Sequence, residues 1–312
     1  MRRLFTLIIS IVLCLCFLMP LTACDDKSVS SDSVINPHTQ TIKVGYVEYA
    51  PLNYKYKGKF TGYNTKLAVS IFNALGYDVK FILIEPTDED RRTVNADDVY
   101  SALEDGKIDC FFGGLTDAIL FDDTKFDFSY RYMENSPCLV IVNGDEYIFE
   151  TSDFEEKTVA FGVNSAGEKY FYDYLASIPN ISHISCEKGQ SSALHNANSF
   201  LEDADCAIVD TLFAYHYLEK TSEYRELILN DNNNPNAYQI EQKNYLRVVF
   251  KKSGTGVNEL RDNVNKTLEF FANTTKTIDD ETYTLLQSLA VGETFSVKNL
   301  LDFVITDFSS QK

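Results

Sequence analysis

Residues 103–130 read LEDGKIDCFFGGLTDAILFDDTKFDFSY. A helical segment ends near Gly106, and the apolar run 108–113 (IDCFFG) that follows is short and glycine-bounded, which predicts a buried strand. Upstream, residues 42–47 (IKVGYV) and 78–84 (DVKFILI) read as two further strands. Between them Gly62-Tyr63-Asn64 opens a helix, with Asn64 as the expected N-cap. Leu67, Ile71, Ala74 and Leu75 form its apolar face and Gly76 ends it. A polar loop over 85–97 leads into the next helix. Strand, helix, strand, helix, strand is the rhythm of a parallel sheet with helices on its faces.

The rhythm recurs downstream. Residues 158–163, 183–186 and 206–209 are predicted strands, and 168–176, 193–201 and 212–220 predicted helices. IKVGYV echoes TVAFGV, and KIDCFFGG echoes DADCAIVD. This is a weak internal repeat, consistent with two similar lobes. Residues 138–142 (CLVIV) and 245–250 (YLRVVF) are expected to cross between the lobes as a hinge. Helices are expected over 259–271 and 281–289. The predicted architecture is α/β and two-lobed, each lobe a mostly parallel sheet flanked by helices, with two hinge crossings. Lobe 1 is expected to begin with 39–136 and lobe 2 to span 137–245. No role is assigned to a C-terminal extension over 296–312.

The start of the chain is expected to be a targeting segment. Arg2 and Arg3 precede an apolar run over 4–21, and Leu21-Thr22-Ala23-Cys24 is similar to a bacterial lipobox. That similarity implies a leader over 1–23, cleavage before Cys24 and lipid on Cys24. More than one acyl chain gives stable anchoring, each buried methylene contributing about 0.8 kcal/mol. Residues 24–38, rich in Ser and Asp, read as a flexible tether. The formal net charge of −18 would repel nucleic acid and anionic lipid headgroups. Beyond the leader and Cys24, four cysteines remain: Cys110, Cys138, Cys186 and Cys206. Cys110 and Cys206 lie in apolar runs, as small buried hydrophobes do, and the four lack metal-ligand spacing. An exported chain could also pair them.

Gly106, Lys107 and Asp109, then Gly114 and Thr116, then Phe126-Asp127-Phe128-Ser129 carry a family resemblance. The pattern resembles the signature of bacterial extracellular solute-binding proteins, family 3, the amino-acid-binding lipoproteins of ABC importers. The resemblance implies a periplasmic-binding-protein-like (type II) fold in which 246–295 returns to lobe 1, so that lobe 1 is 39–136 plus 246–295, with the ligand between the lobes at the carboxyl ends of strands. Tyr49, in a turn that matches the family's Y-x-P-F, would stack on the ligand. Gly114 and Thr116 would hold its amino group, and Asp210 would pair with the ammonium. Where the family has an arginine for the ligand carboxylate, this chain has Phe121. The family's G-[ST]-T turn, which binds the same carboxylate, falls on Ala166-Gly167-Glu168. Glu168 would repel a carboxylate and welcome a cation.

Two ligand readings follow. In one, the solute is an amine or cation without an α-carboxylate. In the other, an arginine elsewhere compensates, Arg91 or Arg92 being the candidates. Three functions stand against each other. The first is lipid-anchored capture of a small nitrogenous solute and delivery to an ABC permease, without cofactor or metal. The second is an extracellular sensor signalling through a membrane partner. The third is a dehydratase or lyase using Glu48 or Glu168 as acid or base, with His183 or His195 as the histidines within reach of a cleft.

Overall fold

The computed structural model describes residues 40–120, 122–142, 148–197, 203–220, 227–230, 238–291 and 300–311. The first strand, β1 (Gln40–Tyr46), precedes a small hairpin, β2 (Tyr54–Tyr56) and β3 (Lys59–Thr61). Then come α1 (Tyr63–Ala74), β4 (Tyr77–Leu83), α2 (Ala96–Glu104), β5 (Cys110–Phe111), the single turn α3 (Asp117–Leu120) and β6 (Phe126–Phe128). The chain leaves through β7 (Met133–Glu134) and enters β8 (Pro137–Val142). It continues through β9 (Thr158–Gly162), α4 (Ala166–Tyr170), β10 (Ser182–Cys186), α5 (Gln190–Asn196), β11 (Cys206–Asp210), α6 (Thr211–Lys220) and β12 (Leu227–Leu229). It returns by β13 (Tyr245–Leu246) to β14 (Val249–Lys251) and α7 (Glu259–Asn273). A hairpin of β15 (Thr275–Ile278) and β16 (Glu281–Thr284) and the turns α8 (Leu285–Ser288) and α9 (Leu300–Phe303) follow.

These strands build two five-stranded sheets, β4-β1-β5-β14-β6 and β10-β9-β11-β8-β12. In each, the first three strands are parallel and the fourth runs antiparallel to the third. Both faces of each sheet are covered. Cys110 and Phe112 enter one core and Phe111 another, while Cys206 and Ile208 separate likewise from Ala207 and Val209. That is why KIDCFFGG and DADCAIVD are apolar without alternation.

The chain crosses between the sheets at β7 and β13, which pair antiparallel. The stretch 138–142 is therefore not a crossing but the fourth strand of the second sheet. Three further expectations change. The helix cap at the start of α1 is Gly62; Asn64 lies inside the helix, fully buried. The stretch 281–289 opens as a strand, because Asp279 and Asp280 both take positive φ (49° and 66°) and turn the β-prone TYT segment back on β15. Helix α5 begins at Gln190, three residues before its expected start.

Cys110, Cys186 and Cys206 are buried and Cys138 half-buried, all as free thiols. Among the described residues no helix is long and apolar enough to cross a membrane. The C-terminal stretch packs against the hinge. Ile305 N donates to Tyr132 O at 3.0 Å, and Val304 bridges to Met133.

Candidate functional site

The loop after β5 forms one wall. This strand is short because the next two carbonyls are taken by side chains: Asn53 Nδ2 donates to Phe112 O and Asn64 Nδ2 to Gly113 O, each at 2.8 Å. Both asparagines are fully buried and further held, Asn53 Oδ1 by Thr65 at 3.1 Å and Asn64 Oδ1 by the Tyr132 hydroxyl at 3.0 Å. The turn that follows lies under the Tyr49 ring. A Cβ on Gly114 would stand 2.4 Å from that ring, so glycine alone lets the aromatic rest on the backbone there. Thr116 is buried, and its Oγ1 has no hydrogen-bond partner among the described residues. It does not cap α3 with its hydroxyl. Next to it, Asp117 accepts from Tyr245 N at 2.8 Å and faces Arg131 and Arg247 at 3.5 and 3.6 Å, which ties the loop to the return crossing.

The opposite wall is the end of β11. Asp210 is 4% exposed. Gln190, at the start of α5, grips it twice: Gln190 Nε2 donates to Asp210 Oδ2 at 2.8 Å, and Asp210 N donates to Gln190 Oε1 at 2.7 Å. From the first lobe the Tyr49 hydroxyl donates to the same Oδ2 at 2.8 Å. Oδ1 is buried and has no hydrogen-bond partner among the described residues. Burial pushes the carboxyl up to about 6, against the lowering effect of the Gln190 and Tyr49 hydrogen bonds. Burial, then the neighbouring Asp210 charge, raises the Tyr49 hydroxyl well above its ordinary value. The carboxylate does not cap α6; Leu212 N is taken by Asn135 Oδ1 at 3.1 Å instead. The Phe213 ring, at 5.8 Å from that of Tyr49, adds an apolar contact across the lobes.

The lobes also meet at the outer rim, where Asn164 Nδ2 donates to Thr93 Oγ1 at 3.1 Å. A groove of about 540 Å³ opens there, with Asn95, Ala118 and Ile119 on one side and Ser165, Glu168 and Tyr172 on the other. Glu168 stands in the first turn of α4, its carboxylate accepting from Asn164 N at 2.8 Å and its own N–H bonded to Ser165 Oγ. Glu168 therefore lines this outer groove and also ties down its own helix start. Gly167 brings that helix onto β11, since a Cβ there would lie 2.3 Å from Ile208 O.

Tyr49, Gly114 and Asp210 are thus gathered at one point, Thr116 lies in the adjoining loop, and Glu168 lines the outer groove. Phe121 and Cys24 lie outside the described residues. Arg91 is not available to compensate for a missing arginine: its guanidinium is held bidentately by buried Asp98, both bonds 2.8 Å. Arg92 is exposed. Glu48 is exposed and pairs with Lys55 at 3.4 Å. His183, near the start of β10, stacks on Phe161 of β9, away from the carboxyl end of the strand. Nothing in the sequence pattern marks Gln190, Asn135 or Phe213. Among the described residues no group of three His, Cys, Asp or Glu could hold a metal ion.

Two mixed sheets joined by a paired double crossing, with facing polar strand ends, define a two-lobed binding protein. The profile of bacterial extracellular solute-binding proteins, family 3, matches residues 42–280, and the chain belongs to that family. Comparison with curated protein sequences finds no relative. Among solved structures, AbpA, an amino acid ABC transporter substrate-binding protein of Streptococcus pneumoniae bound to L-arginine, superposes with a TM-score of 0.60 at 20% identity, over 84% of this chain and 94% of its own. An ancestral arginine-binding protein bound to glutamine gives 0.60 at 21%, over 83% and 98%. An ABC uptake transporter substrate binding protein of the same Streptococcus, with bound histidine, gives 0.58 at 20%, over 75% and 87%. These likenesses show a type II periplasmic-binding-protein-like fold. Membership in the family makes the chain an extracytoplasmic solute-binding protein and not an enzyme.

Proposed function

We propose that the chain captures a small solute carrying an ammonium or other cationic nitrogen and hands it to an ABC importer. The observation that carries this reading is Asp210 Oδ1, buried and without a partner in the described structure at the meeting point of the lobes. An unpaired buried carboxylate oxygen is costly, and a cation that brings a donor to it recovers that cost. Thr116 Oγ1, also buried and unpartnered, supplies a second acceptor for the same nitrogen. The carboxylate half of an amino-acid site has less support. Glu168 lines the outer groove and Arg91 is committed to Asp98. The preferred solute is therefore an amine or cation, with ordinary α-amino acids bound more weakly. Retention at the membrane through lipid on Cys24 completes the proposal, supported by the lipobox-like Leu21-Thr22-Ala23-Cys24.

A thermal-shift panel pairing each amino acid with its decarboxylated amine tests the ligand class, because binding raises the melting temperature by mass action. The amines should stabilise more than their parent amino acids. Stabilisation by amino acids alone would reject the carboxylate-free reading. Cys24→Ala should release the protein into the medium and abolish palmitate labelling; continued labelling would remove Cys24 as the anchor.

A further inference from the structure

We infer that Tyr49 and Gln190 act on the solute through Asp210, Gln190 as a fixed positioning residue and Tyr49 as a latch that completes the arrangement only when the lobes meet. The inference rests on the reading that Asp210 receives the solute's cation. Its geometry stands apart from the stacking role expected for Tyr49 from the family pattern.

The two oxygens of Asp210 have different tasks. Oδ2 takes two donors, Gln190 Nε2 and the Tyr49 hydroxyl, both at 2.8 Å. Oδ1 takes none from the described residues. Gln190 also accepts the Asp210 backbone N–H, so one amide fixes both the backbone and the carboxylate. Gln190 and Asp210 belong to the same lobe, and this grip survives any parting of the lobes. Tyr49 belongs to the other lobe. Its backbone is closed into a turn by reciprocal bonds with Asn53, 2.7 and 2.8 Å, and its ring lies on Gly114. The hydroxyl therefore arrives at a set position and reaches Oδ2 only in the closed arrangement. A hydrogen bond to a charged group is among the stronger ones a protein makes. Part of the drive to close is thus built into the protein, and closure leaves the carboxylate with one oxygen to offer.

Small-angle X-ray scattering without added solute tests the latch. Tyr49→Phe keeps the ring and removes one hydroxyl; it should raise the radius of gyration above that of the wild type, while Gln190→Ala should leave it unchanged. Equal radii for Tyr49→Phe and wild type would overturn the latch. Calorimetry with agmatine and L-arginine as probes tests the positioning. Gln190→Ala should weaken the tighter probe about tenfold, the scale of one hydrogen bond to a charged group; an unchanged affinity would remove Gln190 from the role. Asp210→Asn separates the underlying reading. If it binds as tightly as wild type, Asp210 does not receive the cation, whatever the scattering shows. If it loses binding while Tyr49→Phe scatters as wild type, the reading stands and the latch falls.

Discussion

At the scale of single residues, the protonation of the buried Asp210 carboxyl makes a signed prediction. Its carboxyl titrates near 6 in the fold, against an ordinary value of 3.8. A group that holds its proton more tightly when folded adds most to stability below about pH 4, loses that contribution as pH rises to about 6, and is constant above. Under the proposed function, binding of a cation runs the other way, because it needs the carboxylate. Affinity should be level above about pH 6 and fall by about tenfold per pH unit below it. Calorimetry between pH 4.5 and 7.5, with agmatine as the probe, checks this; a flat profile would mean that Asp210 carries no charge relevant to binding. Tyr49, Gly114 and Asp210 were legible in the sequence only through the family resemblance, and the fold sets each at a strand end or in the turn after it. Gln190, Asn53 and Asn64 were not. Each acts on a strand end remote in sequence, Gln190 on Asp210 and Asn53 and Asn64 on the carbonyls after β5. A polar side chain of that kind leaves no periodic trace.

At the scale of elements, the internal repeat proves to be a repeat of hydrogen bonding as well as of sequence. In the first sheet Asp109 accepts from Lys43 N at 2.7 Å and returns its own N–H to Lys43 O at 2.8 Å. In the second, Asp205 accepts from Thr158 N at 2.6 Å and returns its N–H to Thr158 O at 2.9 Å. The strand register agrees, with Val44 opposite Cys110 and Val159 opposite Cys206. Lys43 thus corresponds to Thr158, one residue off the alignment that the apolar runs IKVGYV and TVAFGV suggest. The same register sets Gly114 and Asp210 at equivalent strand ends, one small enough to seat Tyr49 and the other charged enough to hold it. Asp109→Ala and Asp205→Ala should each cost about 1 kcal/mol, the net worth of a hydrogen bond. Urea denaturation measures this; unequal losses would show that the lobes do not use the aspartate alike. Elements with both faces buried were readable as unbroken apolar runs. The hairpin of β15 and β16 was not, because its strands are exposed and polar and its turn rests on two aspartates rather than on glycine.

At the scale of the whole molecule, the tail adds a third strand-like contact to a two-strand hinge. Besides the Ile305 and Val304 contacts, Gln311 brackets Arg131, its Oε1 accepting from Arg131 N at 2.6 Å and its Nε2 donating to Arg131 O at 3.2 Å. Phe308 is 4% exposed and stacks on Tyr130 with ring centroids 5.5 Å apart. Phe303 reaches the second lobe, its ring 6.0 Å from that of Tyr215 on α6. The profile match ends at residue 280, so these contacts come from a part of the chain outside the shared family pattern. Truncating a buried phenylalanine typically costs 3–5 kcal/mol, roughly, but a tail that can detach limits the loss to its own docking energy. Phe308→Ala should therefore lower stability by about 1–2 kcal/mol, or several degrees in melting temperature for a chain of this size. Deleting residues 300–312 should cost no more than Phe308→Ala by much, because both release the same segment. Release of this segment removes the Phe303 contact across the hinge, so the truncated protein should open further in solution scattering and bind its solute a few-fold more weakly. A truncated protein with wild-type radius of gyration and affinity would reduce the tail to a stabilising flap on the first lobe. An enlarged radius with intact far-ultraviolet circular dichroism would make it a working part of the hinge.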